Sequence, residues 1–135
     1  MTKTPRHKTS GAKTSRQIAE KKGRRAETLA VWWLRLKGYR IIARRVKTPK
    51  GEIDIIARRG LTLAFVEVKA RADFDTAIQS ISARQIGRII AAAQYWRATS
   101  KFDQNVVCRF DIALVKPYLL MTHIENAFDE SGRAL

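Results

Sequence analysis

The sequence is poor in cysteine and in long apolar runs, which excludes an intrachain disulfide and a membrane-spanning helix. Its single cysteine, Cys108, rules out an intrachain disulfide, and we expect it to be a small buried side chain within an apolar stretch. No apolar stretch approaches the roughly 18 residues of a membrane-spanning helix, and no apolar signal-peptide core follows the basic N-terminus. We therefore expect no membrane contact and a cytoplasmic location.

Acidic residues are also scarce, so basic residues dominate the charge. The 135 residues include 27 lysines and arginines against 12 aspartates and glutamates, which gives a net charge of +15. Such a charge does not specify a fold, but it favours a polyanionic partner, nucleic acid first and an anionic membrane surface second. The alternative is a solvated basic surface, or a tail that binds acidic material without specificity.

Composition divides the chain into an arm, one domain and a tail. Residues 1–22 are rich in lysine and arginine and poor in apolar side chains, which predicts a flexible or weakly helical arm that contacts phosphates without reading sequence. Residues 23–128 carry the apolar periodicity of a folded domain and are numerous enough to bury a core. Residues 129–135 are expected to fray.

Hydrophobic periodicity predicts the order α-β-β-β-α-β-β, an α/β fold. The predicted elements are a helix that begins at Arg24 and is ended by Gly38, strands over 39–45, 52–57 and 61–69, a helix that ends near Thr99, and strands over 106–115 and 118–124. Ser82 is expected to cap the second helix, with Gln85 as its capping-box partner.

Two acidic residues lie inside otherwise apolar strand segments. These segments are GEIDIIA (residues 51–57) and FVEVKAR (residues 65–71). Alternate residues of a strand share a face, so Glu67 and Lys69 should project together. If the two segments pair as a hairpin, Asp54 lies opposite Glu67. Two carboxylates and one ammonium group would then converge on one patch.

Such a patch suits metal-assisted phosphodiester hydrolysis. Carboxylates are hard oxygen ligands for Mg²⁺ (or Mn²⁺), which lowers the pKa of a bound water and neutralises phosphate charge. A neighbouring lysine can orient the attacking water or stabilise the transition state. The alternative is a surface ion pair between Glu67 and Lys69. An unpaired charge within an apolar run is costly, which favours the metal site.

The two segments resemble the YraN-like bacterial family, a relative of Holliday-junction resolvases in the PD-(D/E)xK nuclease superfamily. The resemblance covers residues 23–128 and implies a restriction-endonuclease-like core, with a mixed central sheet flanked by helices. It also implies a Mg²⁺-dependent endonuclease acting on DNA, including branched or junction DNA, and a homodimer as one option. A non-catalytic nucleic-acid-binding module that retains the nuclease fold is the alternative.

The resemblance assigns roles to individual residues. Asp54 and Glu67 match the metal-binding carboxylates, and together with Lys69 they match the catalytic residues. Glu27 matches a first-helix glutamate that can complete the metal site. The alternative for Glu27 is a first-turn acid that complements the helix dipole.

The other predicted site residues are nucleic-acid contacts. They are Arg24, Arg25, Arg45, Lys47, Arg71 and Gln85. Arg45 departs from the family pattern, since an asparagine is usual at this position. Gln85 stands near a position where a lysine is common, so it is either a helix cap or a phosphate contact. Asp111 also fits the family pattern, but we interpret it as structural and salt-bridged to an arginine.

Overall fold

A mixed five-stranded sheet organises the computed structural model, which describes residues 14–133. The helices are α1 (Ser15–Leu36), α2 (Phe74–Gln79) and α3 (Ala83–Thr99), and the strands are β1 (Arg40–Thr48), β2 (Gly51–Arg59), β3 (Thr62–Ala70), β4 (Val107–Val115) and β5 (Met121–Phe128). A 3-10 turn, Pro117–Leu119, precedes β5. None of the helices in this range combines the length and apolarity needed to cross a membrane.

The strands follow their chain order across the sheet. β1, β2 and β3 are joined as antiparallel neighbours, β3 and β4 pair in parallel, and β4 and β5 are antiparallel. Parallel neighbours need a long crossover, and here the crossover contains α2 and α3. The predicted mixed sheet flanked by helices is confirmed, and it is compatible with a restriction-endonuclease-like fold.

Helices cover both faces of the sheet, which explains why β2 and β3 are nearly continuous apolar runs. Ile56 and Phe65 belong to the core beneath α3. Ile55 and Val66 belong to a second core beneath α1. These four side chains are almost completely buried, and each contributes about 2 kcal/mol relative to an exposed position.

The first helix begins at Ser15, so the predicted start at Arg24 was wrong. Thr14 and Gln17 form a reciprocal capping box that satisfies the first backbone N–H groups of α1. The early turns of α1 are exposed to solvent, so the sequence has no apolar stripe there from which this part of the helix could be predicted. Packing of the later turns against the sheet stabilises the whole helix, because helix propagation is cooperative.

Parts of the predicted arm and tail lie within the described residues. Residues 1–13 and 134–135 lie outside them, Thr14 caps α1, and residues 15–22 of the predicted arm belong to α1. In the tail, the Gly132 N–H donates to the Asp129 carbonyl at 2.9 Å. The described part of the tail is therefore a hydrogen-bonded turn.

Two local structures were not predicted. Asp73 caps α2 by accepting a hydrogen bond from the Thr76 N–H at 2.8 Å. The last strand begins later than predicted, because Tyr118 and Leu119 adopt φ values of 67° and 65° in the Pro117–Leu119 turn. Their side chains favour a strand, but a left-handed backbone cannot continue one.

Candidate metal and nucleic-acid site

The candidate site lies where β2 and β3 separate. Their paired register ends with Ile55 opposite Val66. Beyond this pair, Oδ2 of Asp54 accepts a hydrogen bond from the Val68 N–H at 2.8 Å. A side-chain oxygen thus takes the place of a backbone acceptor. The predicted hairpin is confirmed, and Asp54 is close enough to Glu67 for their carboxyl groups to interact.

Glu67, Lys69 and Gln85 form a connected cluster beside Asp54. Lys69 Nζ lies 3.3 Å from Glu67 Oε1, and Gln85 Nε2 donates to the same oxygen at 2.8 Å. Lys69 Nζ also donates to Gln85 Oε1 at 3.4 Å. The alternation in β3 therefore brings Glu67 and Lys69 together, and α3 adds a third polar group.

Gln85 acts on Glu67 and does not complete the predicted capping box. Ser82 Oγ accepts from the Gln85 N–H at 3.1 Å, which confirms Ser82 as the N-cap of α3. The side-chain amide of Gln85, however, donates to Glu67. A carboxyl oxygen buried beneath the helix start needs a hydrogen-bond donor.

Burial raises the pKa of both carboxyl groups. For Asp54, burial is the largest cause, and it outweighs the hydrogen bond from Val68. For Glu67, burial followed by the negative charge of Asp54 raises the pKa to about 8, although the Lys69 ammonium opposes this shift. Carboxyl pairs with raised pKa values are typical of sites that bind cations or transfer protons.

Glu27 faces Asp54 from α1, but two arginines hold its carboxylate. Arg45 Nε lies 3.1 Å from each Glu27 oxygen, and Arg44 Nε lies 3.3 Å from Oε1. The helix-dipole alternative is wrong, because α1 begins at Ser15 and has no acid in its first turn. Within residues 14–133, no three His, Cys, Asp or Glu side chains are grouped to hold a metal.

Arg45 has an unusual backbone conformation. Its φ is 48°, and it lies between Arg44 and Val46, whose partners in β2 flank Asp54. Asparagine tolerates a left-handed backbone better than arginine does. Arg45 places a cation beside Glu27.

The cleft that contains Asp54, here called the Asp54 cleft, includes three of the predicted nucleic-acid contacts. They are Arg24, Arg45 and Lys47. All three are exposed and come from different elements, α1 and β1. The Asp54 cleft therefore combines these three cations with four acidic side chains, Glu20, Glu27, Glu52 and Asp54.

A second cleft, here called the Lys116 cleft, lies between α1 and the ends of β3 and β4. Arg25 and Arg71, both predicted as nucleic-acid contacts, line it together with Lys22 and Lys116. The sequence analysis missed the last two as site residues. Lys22 was assigned to the arm, and Lys116 has no motif of its own. The four cations share a surface because α1 packs on the sheet, and this packing cannot be read from the spacing of residues in the sequence.

Asp111 is structural, as predicted. Arg109 donates to both of its oxygens at 2.8 Å, and His123 Nε2 lies 2.7 Å from Oδ2. The Asn126 N–H donates to Oδ1 at 2.9 Å. Burial raises the pKa of Asp111, but the hydrogen bonds outweigh it and bring the pKa below the ordinary value of 3.8. The side chain holds β4 and β5 together.

The fold and the site define a mixed α/β protein with paired acidic side chains where two central strands separate. The chain belongs to the Uncharacterised protein family UPF0102, whose model matches residues 26–115. This confirms the YraN-like family predicted from the two motif segments.

Curated relatives support the same assignment along most of the chain. The UPF0102 protein of Rhodopseudomonas palustris (strain HaA2) is 50% identical over 116 residues, which cover 86% of this chain and 91% of the relative. The UPF0102 protein of Chelativorans sp. (strain BNC1) is 47% identical over 117 residues, covering 87% and 94%. The family assignment therefore extends beyond the two motif segments.

Proposed function

We propose that this protein is a Mg²⁺-dependent DNA endonuclease that hydrolyses phosphodiester bonds in branched or junction DNA. The observation that carries the proposal is the convergence of Asp54, Glu67 and Lys69 where β2 and β3 separate. The fold alone does not specify an activity. The preference for branched DNA rests on the resemblance of the motif segments to Holliday-junction resolvases.

The paired carboxylates fit a hard divalent cation. Asp54 and Glu67 offer oxygen ligands, and Mg²⁺ is commonly held by one or two carboxylates while water and phosphate complete its shell. Their burial and repulsion, which raise the pKa of Glu67 to about 8, create a charge conflict that a cation would relieve. When bound, Mg²⁺ or Mn²⁺ lowers the pKa of a coordinated water and neutralises charge on the phosphodiester.

Lys69 is placed to act on the scissile phosphate. Its ammonium carries three donors, and the contacts with Glu67 and Gln85 use two of them. The remaining donor is suited to a phosphate oxygen or to the attacking water. Gln85 bonds to both Glu67 and Lys69, so it fixes their relative positions. We assign Gln85 a positioning role.

The exposed cations of the Asp54 cleft account for DNA binding. Arg24, Arg45 and Lys47 line this cleft, and the chain carries a net charge of +15. Basic side chains bind phosphates with salt-dependent affinity and without reading bases. Recognition by this surface would therefore follow the shape of the DNA. A cytoplasmic location, where bacterial DNA lies, is part of the proposal.

A cleavage assay with matched variants tests the proposal. Purified protein and Mg²⁺ or Mn²⁺ are incubated with four-way, flap, single-stranded and duplex DNA. We expect the wild type to cut branched DNA, and Asp54→Asn and Lys69→Ala to lose at least about a hundredfold in rate. Asp103→Asn is the control, because Asp103 is an exposed acid paired with Arg58. Absence of cleavage by the wild type, or full activity of Asp54→Asn, would overturn it.

One observation favours the second candidate, a non-catalytic nucleic-acid-binding module. Arg44 and Arg45 neutralise Glu27, so this carboxylate is already paired without a metal. A binding module would retain salt-dependent DNA binding in Glu67→Gln and would cut none of the substrates. The cleavage assay and a binding assay on the same variants separate the two candidates.

A further inference from the structure

The Pro117–Leu119 turn presents an aromatic ring on an unfavourable backbone. Tyr118 is 94% exposed, and its φ of 67° is followed by a φ of 65° at Leu119. Two successive left-handed residues other than glycine are uncommon, and such conformations persist where the surroundings fix them. They concentrate at functional sites, which makes this turn a candidate.

Two hydrogen bonds fix the turn. The Lys116 N–H donates to the Leu120 carbonyl at 2.7 Å and closes the base of the turn. Trp33 Nε1 donates to the Leu119 carbonyl at 3.2 Å and ties the turn to α1. The exposed ring of Tyr118 is therefore carried on a fixed support.

The turn adjoins a basic surface that continues along α1 to the candidate metal site. Lys116 and Arg25 line the Lys116 cleft. Arg25 also lines an adjoining cleft with Leu119 and Arg24. Arg24 in turn lines the Asp54 cleft. Shared side chains thus connect the three clefts into one surface, which is basic around the exposed aromatic turn and mixed in charge at the Asp54 cleft.

We propose that Tyr118 stacks on an unpaired base of a nucleic acid whose backbone lies along this surface. Every base has a planar face, and aromatic residues on basic surfaces bind single strands by stacking. A nucleic acid matches both the ring and the surrounding cations, whereas an apolar protein partner would leave Arg24 and Arg25 uncompensated. The inference rests on the proposed function, because the same nucleic acid then reaches the Asp54 cleft.

A binding experiment without metal tests the stacking contact. In EDTA, the protein is titrated with a forked DNA that carries 2-aminopurine at an unpaired position next to the branch, and with a plain duplex. We expect the wild type to change the 2-aminopurine fluorescence. Tyr118→Ala should lose this change and bind the fork about tenfold more weakly, with unaltered duplex binding. Tyr118→Phe should behave as the wild type does.

The control variant is Leu61→Ala, because Leu61 is an exposed apolar residue at the β2–β3 turn, and it should leave fork binding unchanged. The proposal is overturned if the wild type does not bind the fork, or if Tyr118→Ala retains the fluorescence change. It is also overturned if sedimentation shows a wild-type dimer that Tyr118→Ala dissociates, since the turn would then join two copies. Failure of cleavage alone would contradict the proposed function and leave the stacking contact intact.

Discussion

Asp54 Oδ2 accepts a hydrogen bond from the Val68 N–H at 2.8 Å, and this contact joins the ends of two strands that have stopped pairing. A regular ladder would place backbone groups opposite one another at this point. The carboxylate instead bridges the two strands and remains beside Glu67. The acidic pair is therefore a consequence of how β2 and β3 diverge.

Replacing Glu67 by glutamine should change the pH dependence of stability. The raised pKa of about 8, against an ordinary value of 4.5, means that the folded wild type retains a proton that the unfolded chain releases. The contribution of Glu67 to stability is fully present below pH 4.5 and is lost as the pH rises towards 8. Glu67→Gln removes this fall and should be more stable than the wild type by about 2 kcal/mol near neutral pH without metal.

Urea unfolding at about pH 5 and about pH 8 in EDTA measures this difference. Asp103→Asn serves as the control, because this exposed carboxylate should shift stability by less than about 0.5 kcal/mol. Parallel pH profiles for the wild type and Glu67→Gln would show that the Glu67 carboxyl group is not held in a protonated state.

The two variants Arg45→Asn and Arg45→Ala should differ in stability. Both remove the guanidinium from Glu27, but the φ of 48° suits asparagine better than alanine. We expect Arg45→Asn to be more stable than Arg45→Ala by about 1 kcal/mol in chemical denaturation. Equal stabilities would indicate that the strand relaxes to an ordinary backbone once the arginine is removed.

Two glycine substitutions should have opposite effects. A Cβ at Gly51 would lie 3.0 Å from the Arg88 carbonyl, so Gly51→Ala forces α3 away from β2 and should cost about 1–3 kcal/mol. Gly23 lies within α1, and a Cβ added there would meet no atom within 4 Å outside its chain neighbours and the backbone of its own helix. Gly23→Ala should therefore stabilise the protein by about 0.5–1 kcal/mol. Thermal unfolding of the two variants measures both signs, and a neutral Gly51→Ala would contradict the tight contact.

Asp111→Asn should destabilise the fold without affecting the candidate site. Asp111 is completely buried and binds Arg109 and His123, so loss of its charge leaves Arg109 with only the longer 3.8 Å contact to Glu125 and should cost about 3 kcal/mol. Because its folded pKa is lowered, this contribution is present above pH 3.8 and is lost as the pH falls through the folded value. A loss below about 1 kcal/mol in urea unfolding would contradict the role assigned to the network.

Sequence spacing predicted the acidic pair because both of its determinants are local. A period of two places Glu67 and Lys69 on one face of β3, and the short turn at Gly60 sets the register that brings Asp54 alongside. The same local rules predicted Ser82 as the helix cap and the end of α3 at Thr99.

Contacts made by docked helices were not predictable from spacing. Gln85 reaches Glu67 only because α3 crosses the sheet at this point, and Glu27 meets Arg45 only because α1 packs near β1. The turn at Tyr118 was missed for a different reason. Its residue types favour a strand, and tertiary contacts impose the left-handed backbone.

Calorimetric titration of Mn²⁺ into the purified protein tests the central claim most directly, namely that Asp54 and Glu67 together hold a divalent cation. The account predicts saturable binding by the wild type and by Asp103→Asn, and loss of binding in Asp54→Asn and in Glu67→Gln, with all variants folded by circular dichroism. Absence of binding by the wild type, or unchanged affinity in Asp54→Asn, would contradict it.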